Sequence, residues 1–301
     1  MNSILKNLLL ATLALGLNVG AALADEALLK PFVLASKGAG SVAGKVLAAK
    51  AALVVHGFSL VGSYSPYPDT TIIVVSNDEL KTTAAKSEHG GFGAAQRVAV
   101  AKVKDEVQVS YTNPTYMAHG YRMSGDLSNT AAKLQAALGK VEEFGAAGLS
   151  AEHLRKYHYM FGMEYFDEPS ILAEFSSHEE ALKTVEANLA AGKGGVTKVY
   201  RVDVPGKKES VFGVAMKGDD KYMDDKYIMS VIDSKEIKSA AHLPYEMLVT
   251  GNKVIALYAR FRIALDFPDL KMAGQNSFMK IMESPEAIRK ALVAAAGGTE
   301  S

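Results

Sequence analysis

The fold is decided by residues 57–78, which read GFSLVGSYSPYPDTTIIVVSND. Two runs rich in Val, Ile, Ser and Tyr flank the turn sequence PYPD, so the stretch predicts two strands joined by a short connection. The run SNDE at 76–79 is a capping box, which predicts that a helix begins there. Strands joined in this way predict an antiparallel sheet, and the separate helices must cover one of its faces.

The neighbouring segments complete a first domain around this hairpin. Apolar residues at helical spacing follow Ser41, a good N-cap, and Gly57 ends the predicted helix. Residues 95–112 read as a second hairpin, and residues 129–141 read as an Ala-rich helix. We therefore predict an α+β domain over residues 25–141.

A similar order of elements recurs in residues 151–301, after a linker predicted at 142–150 because it is rich in small residues. Each half is predicted as helix, strand, strand, helix, strand, strand, helix, and VVSNDELKTTAA in the first half matches VIDSKEIKSAA in the second. Internal duplication explains the recurrence, and coincidence between two α+β domains is the alternative. The predicted fold is thus two tandem similar domains, each an antiparallel sheet with helices on one face.

Residues 1–24 are typical of a cleaved secretory signal peptide. Lys6 precedes an apolar run, and Ala-Leu-Ala at 22–24 offers small residues for cleavage. No later segment approaches the roughly 20 apolar residues that a membrane-spanning helix needs. We predict a periplasmic mature chain without membrane insertion.

The composition excludes several kinds of site. The chain contains no cysteine, which excludes disulfides, thiolate zinc, iron–sulfur clusters and covalently attached haem. Of 33 basic residues, Lys6 lies in the predicted signal peptide, which leaves 32 against 33 acidic residues. This balance favours neither nucleic acid nor an anionic membrane as a partner.

The first half resembles the DUF302 family, a domain of unknown function. The resemblance is carried by the opening stretch and by GGFGAAQRVAVAKVKDEVQVSYTNPTYMAHGYRM, and it covers about residues 40–140. It implies a small fold with a curved antiparallel sheet, similar to that of the TATA-box-binding protein, and it implies no catalytic residues. The second half is similar to the family only in element order, and its loop GDDKYMDDK departs from it.

A first candidate site is the stretch SYTNPTYMAHGYRM, residues 110–123. If the chain is extended there, Met117, His119, Tyr121 and Met123 share one face. That set is suited to Cu(I) or to axial ligation of haem. If the stretch is helical, Met117 groups with Tyr121 instead. Packing under the sheet is the alternative to a ligand site, because Met fills irregular core gaps well.

A second candidate site is HLRKYHYMFGMEYF, residues 153–166, which lies between the halves, where ligand pockets often form. A seam that docks the two domains would need the same amphipathic aromatic residues. The run YARFR at 258–262 is predicted as a strand with two arginines on one face, suited to a carboxylate such as a haem propionate. The predicted cofactor-binding residues are Tyr116, Tyr121, Arg122, Tyr157, Tyr159, Arg260 and Arg262, and the predicted metal ligands are Met117, His119, Met123, His158 and Met160.

These patterns favour a periplasmic binding protein for a small molecule or metal ion, with haem b or copper as the concrete candidates. Two alternatives remain open. One is an enzyme that uses Tyr and His for acid–base chemistry on a small substrate, although no catalytic residue is identifiable. The other is a structural or interaction module without a cofactor, such as a homodimer that pairs through an exposed strand edge.

Overall fold

The computed structural model describes residues 27–160 and 162–299, so the predicted signal peptide lies outside the described residues. The described part of the chain forms eleven strands and nine α-helices. The elements of the first half are β1 (Phe32–Gly38), α1 (Val42–Val55), β2 (Ser59–Tyr64), β3 (Thr70–Ser76), α2 (Asp78–Ala85), β4 (Gln96–Val103), β5 (Glu106–Thr112), α3 (Pro114–Gly120), α4 (Ser128–Leu138) and β6 (Glu142–Phe144). Those of the second half are α5 (Ala151–Arg155), β7 (Ser170–Glu174), α6 (His178–Ala190), β8 (Val196–Asp203), β9 (Glu209–Met216), α7 (Asp225–Ile232), β10 (Tyr245–Thr250), β11 (Lys253–Ala256), α8 (Ala259–Asp266) and α9 (Ser284–Ala296).

The strands form two antiparallel sheets, one in each half. The first sheet has the order β2-β3-β4-β5-β1-β6, and the second, read from its other edge, has the order β8-β9-β10-β11-β7. In both sheets the second, third, fourth and fifth strands of the half lie side by side in that order, and the first strand of the half lies next to the fifth. The prediction of an α+β fold with antiparallel sheets and helices packed on them is confirmed. Tandem duplication and similarity to the TATA-box-binding protein remain predictions.

Helix α1 begins where the sequence predicts because its predicted cap forms. Helix α2 is capped by Asn77, whose Oδ1 accepts from the Leu80 amide at 2.8 Å, and not by Ser76 of the predicted capping box. The Ser41 hydroxyl accepts a hydrogen bond from the Gly44 amide at 3.1 Å, which satisfies one free N–H group at the start of α1. The Ser177 hydroxyl accepts one from the Glu180 amide at 3.1 Å at the start of α6.

Two predicted elements differ in the structure, and one helix was not predicted. The run YIMSVI belongs to this helix, α7, because Asp224 caps it and its buried residues follow helical spacing. The run at 258–262, predicted as a strand, begins α8. Its apolar residues alternate in sequence, but α8 is buried nearly all round, so no 3.6-residue stripe marks it as a helix. The predicted linker 142–150 begins with β6, which pairs with β1.

The first sheet separates two cores. Its outer face packs against α1 and α4, where Val98 and Val100 of β4 meet Leu53 and Leu134. Its inner face belongs to a larger core shared with the second half. Two short 3₁₀ helices each pack against the sheet of the other half. Gly90–Gly93 of the first half packs on β9 and β10, and Ala240–His242 of the second half packs on β4 and β5. The two halves therefore share one interior.

None of the helices in residues 27–160 and 162–299 is long and apolar enough to cross a membrane.

Candidate functional site

An apolar cleft lies against α8 in the second half. Its cavity volume is about 30 Å³, and the wider hollow around it is open to solvent. About 10–15 Å³ on this measure holds one water molecule, so a larger ligand enters only if the flexible side chains of the lining move apart. Among the described residues that line it, Arg260 carries the only charged side chain. The lining residues are Tyr159, Met163, Arg260, Ile263, Ala264, Phe267, Leu270, Met272 and Phe278.

One wall of the cleft is a loop that folds back on itself after α8. The amide of Phe278 donates to the carbonyl of Lys271 at 2.9 Å, and the amide of Met279 donates to that of Met272 at 3.1 Å. Gly274 turns the loop with φ +117°, a conformation that favours glycine. These contacts bring Met272 and Phe278 into the lining of the cleft.

The polar end of the cleft is an ion pair between Arg260 and Glu164. The Arg260 side chain is 40% exposed and the Glu164 side chain 17% exposed. Two buried atoms of the pair, Arg260 Nε and Glu164 Oε2, have no hydrogen-bond partner. The pair therefore carries no net charge, and Arg260 is its member that lines the cleft.

A second polar cluster, the buried ionic network, lies where the two halves meet. Its members are Arg97 from β4, Glu246 from β10, Arg262 and Asp266 from α8, and His242. Arg97 pairs with Glu246 at 2.5 Å, and both side chains are at most 2% exposed. Arg262 Nε lies 3.4 Å from Glu246 Oε2, close enough for charge attraction but not aligned as a hydrogen bond. His242 Nδ1 lies 2.6 Å from Asp266 Oδ2.

Further hydrogen bonds fix this network in place. Arg97 Nε donates to the Ala241 carbonyl at 3.0 Å, and Arg262 donates to the Pro244 carbonyl at 2.7 Å. The Tyr200 hydroxyl donates to Glu246 Oε1 at 3.0 Å. Two arginines thus face two carboxylates, and the charges balance when the histidine is neutral.

The His242–Asp266 pair resembles the base and its orienting carboxylate in acid–base enzymes, but its surroundings differ. Burial and the nearby Arg262 lower the pKa of His242 to about 4, so the ring is neutral at pH 7. Burial disfavours the Asp266 carboxylate, but the hydrogen bond with His242 keeps its pKa below the usual value. Both side chains are fully buried, and His242 Nε2 faces Arg262 NH1 at 3.4 Å. The pair therefore helps to join the two halves, and neither side chain is accessible to a substrate.

The first candidate stretch is helical, so its extended alternative is wrong. Asn113 caps α3 and Pro114 occupies its first turn. On a helix, Met117 and His119 point about 200° apart rather than sharing a face. Met117 and Met123 are buried in the shared core, whereas His119 is partly exposed.

Arg155 connects this stretch to α5. Its Nε lies 3.1 Å from His119 Nδ1, and its NH2 donates to the Met123 carbonyl at 2.9 Å. Residues 27–160 and 162–299 contain no group of three or more His, Asp or Glu residues that could hold a metal ion. A His/Met metal site remains a prediction.

Two of the four predicted tyrosines donate hydrogen bonds to the end of α8. The Tyr116 hydroxyl donates to the Leu265 carbonyl at 2.7 Å, and the Tyr157 hydroxyl donates to the Ala264 carbonyl at 2.8 Å. These carbonyls lie in the last turn of α8, where no intrahelical donor reaches them. Tyr121 stacks on Phe166 with ring centroids 5.6 Å apart.

The remaining predicted residues occupy different environments. Arg122 pairs with Asp167 at 2.7 Å. His158 stacks on Tyr165 at 4.4 Å, and its Nδ1 lies 3.1 Å from the carbonyl of Met160, whose side chain is 46% exposed.

Of the predicted cofactor-binding residues, the structure brings Tyr159 and Arg260 together in the lining of the cleft. The expected clamp of Arg260 and Arg262 is wrong, because residues two apart on a helix face opposite sides. Arg262 is 1% exposed and belongs to the buried ionic network.

Sequence reasoning missed the buried ionic network and most of the cleft. Arg97 in AQRVAVAKV and Glu246 in YEMLVT are charged residues within strongly apolar strands, which was the available signal. Nothing in the sequence places Leu270, Met272 or Phe278 against α8, because the loop that carries them has no periodic pattern.

Comparisons with protein-family models, with curated proteins and with solved structures gave no match for this chain. The resemblance to the DUF302 family therefore stays a prediction. The geometry of the two polar clusters and the cleft is the basis for any functional proposal.

Proposed function

We propose that this protein binds a small, largely apolar molecule in the cleft beside α8. The observation that carries the proposal is the combination of an apolar lining with a single charged group, Arg260, at one end. Ligand sites typically pair an apolar lining with a few polar groups that fix orientation. Met163 and Met272 suit such a lining, because flexible thioether side chains adapt to different ligand shapes.

The polar end of the cleft favours a neutral ligand group. Arg260 is already paired with Glu164, so an anionic ligand would meet a carboxylate that is close to the same guanidinium. Arg260 Nε and Glu164 Oε2 are buried without a hydrogen-bond partner, so a ligand group reaches them only when the side chains of the pair move. An amide, an alcohol or a secondary amine satisfies such groups without adding charge. We therefore propose a neutral amphiphile as the ligand class.

The proposed place of action is the periplasm, because residues 1–24 are typical of a signal peptide. A cysteine-free chain suits an oxidising compartment, since no thiol is available for unwanted oxidation. Binding of haem b or copper through the His/Met stretch is a narrower alternative to the neutral ligand.

The test is a fluorescence titration with two dyes that share one skeleton. N-phenyl-1-naphthylamine is neutral and carries one N–H donor, whereas 8-anilinonaphthalene-1-sulfonate adds a sulfonate. We expect saturable binding of one neutral dye per chain. The sulfonate should bind at least tenfold more weakly, because it must leave water for an apolar lining in which Glu164 already neutralises Arg260. Tenfold corresponds to about 1.4 kcal/mol.

Two methionine variants provide a matched pair. Met272→Glu places a carboxylate in the lining of the cleft, whereas Met282→Glu alters an exposed methionine that does not line it. We expect Met272→Glu to weaken neutral-dye binding at least tenfold and Met282→Glu to leave it unchanged. Equal effects of the two variants, or no saturable binding by the unmodified protein, would refute the proposal.

A further inference from the structure

The outward face of α1 is apolar along its whole length. Leu47 is 71% exposed, Val54 54% and Val55 80%, which is unusual for large aliphatic side chains. A contiguous apolar patch on a protein surface commonly marks an interaction site. The exposed positions of α1 are Ala43, Gly44, Leu47, Ala48, Ala51, Val54 and Val55, and none has a polar side chain.

The charges on α1 and the adjacent α4 are all positive. The groove beside Ala43 and Leu47 is mixed, because Asp69 and Asp224 line it together with Lys217 and Lys226. Lys45 and Lys50 lie on α1, Lys133 lies on the adjacent α4, and neither helix contains an acidic residue. None of these lysines forms an ion pair with another described residue. The whole segment 27–68 carries four lysines and no carboxylate. A chain with balanced total charge thus has one layer that is both apolar and cationic.

The outer layer of the second half shows that the fold does not require this pattern. Helices α6 and α9 cover the second sheet, and both carry acidic residues. Glu186 of α6 pairs with Arg201 at 3.3 Å, and Glu286 of α9 pairs with Arg289 at 2.9 Å. The absence of carboxylates from α1 and α4 is therefore a property of the first half alone.

We infer that the α1/α4 layer docks on an anionic lipid surface. A helix that lies on such a membrane presents aliphatic side chains to the acyl boundary and lysines to the headgroups. Leu47, Val54 and Val55 supply the aliphatic contact, and Lys45, Lys50 and Lys133 supply the charge. The lysines suit anionic phospholipids because polybasic surfaces are attracted to them.

A second copy of this chain complements the layer less well. A symmetric dimer through α1 and α4 would bring the same patch of each copy together, so lysines would face lysines. The layer contains no carboxylate to compensate them. Anionic lipid headgroups provide the opposite charge that a second copy lacks.

The test is co-sedimentation of the full chain with vesicles of phosphatidylglycerol and phosphatidylcholine, compared with phosphatidylcholine alone. We expect binding to the anionic vesicles that falls at least tenfold in the double variant Leu47→Asp/Val55→Asp. Met282→Asp, a change at an exposed methionine of the second half, is the matched control and should bind like the unmodified chain. All variants share the same N-terminus, so any lipid affinity of residues 1–26 is common to them.

Two further measurements separate charge from apolar contact and lipid from protein. Lys45→Gln/Lys50→Gln should remove most of the preference for anionic over neutral vesicles, and added salt should do the same. Equal vesicle binding by the unmodified chain and Leu47→Asp/Val55→Asp would overturn the inference. So would a dimer in sedimentation velocity that this double variant dissociates, because a second copy would then cover the face.

Discussion

Breaking the buried ion pair between Arg97 and Glu246 should destabilise the whole protein. The pair joins β4 of the first sheet to β10 of the second, and both side chains are almost completely excluded from solvent. We consider Glu246→Gln, which keeps the shape of the side chain and removes its charge. The two guanidinium groups, of Arg97 and Arg262, then have Asp266 as the remaining carboxylate of the network.

The expected cost follows from the uncompensated charge. Removal of one partner of a buried pair costs about 3–5 kcal/mol, since the other charge remains buried. We expect about 4 kcal/mol for Glu246→Gln. Arg97→Met should cost about 3 kcal/mol, because Glu246 keeps the hydrogen bond from Tyr200 and lies 3.4 Å from Arg262 Nε. The double variant should cost about 4 kcal/mol rather than the sum of about 7 kcal/mol. The difference of about 3 kcal/mol is the coupling energy of the pair.

The assay is urea unfolding at pH 7, followed by far-ultraviolet circular dichroism. Arg201→Met, Glu186→Gln and their double variant are the control cycle, because that pair is about one-third exposed on each side. Exposed pairs contribute roughly 0.2–1 kcal/mol. The assignment of this pair as the junction between the halves predicts large, coupled losses of stability. It would be refuted if the single variants at Arg97 and Glu246 each cost less than about 1 kcal/mol, or if their two costs simply added in the double variant.

Two other changes test a second contact between the halves, where Tyr64 of β2 donates a hydrogen bond to Asp225 of α7 at 3.4 Å and β2 lies against β8. Burial raises the pKa of Asp225 to about 7, so the stability this group contributes is present at low pH and is lost as pH rises towards 7 and above. Between pH 5 and 8.5 the unfolding free energy should therefore decrease by about 3 kcal/mol less in Asp225→Asn than in the unmodified protein. The same pH dependence in both proteins, measured by urea unfolding, would contradict the argument. At Gly62, a Cβ atom would lie 2.5 Å from the Val199 carbonyl oxygen, so Gly62→Ala should cost roughly 1–3 kcal/mol. Ser63→Ala, at the next and exposed position, should cost little; equal thermal shifts in the two variants would count against the close approach of β2 and β8.

Local sequence signals predicted the elements whose cause is local. Ser41 caps the helix that it was expected to cap, and the stretch 57–78 forms two paired strands. The signals failed where tertiary contacts decide. Helix α8 was predicted as a strand because it is buried on nearly every side and therefore lacks an amphipathic stripe.

The functional features depend on contacts that the sequence does not reveal. Arg97 and Glu246 are 149 residues apart, and only the fold pairs them. The cleft joins residues from the segment after α5, from α8 and from the following loop. Total charge does not report how charge is distributed, because a balanced sum conceals that α1 and α4 carry lysines and no carboxylate.

The most direct test of the proposed function is native mass spectrometry of the protein released gently from its cells. We predict an adduct of one small neutral organic molecule per chain, retained in Met282→Glu and lost in Met272→Glu. An adduct with the mass of haem or copper, retained in Met272→Glu and lost in His119→Ala, would contradict the cleft and support the His/Met stretch instead.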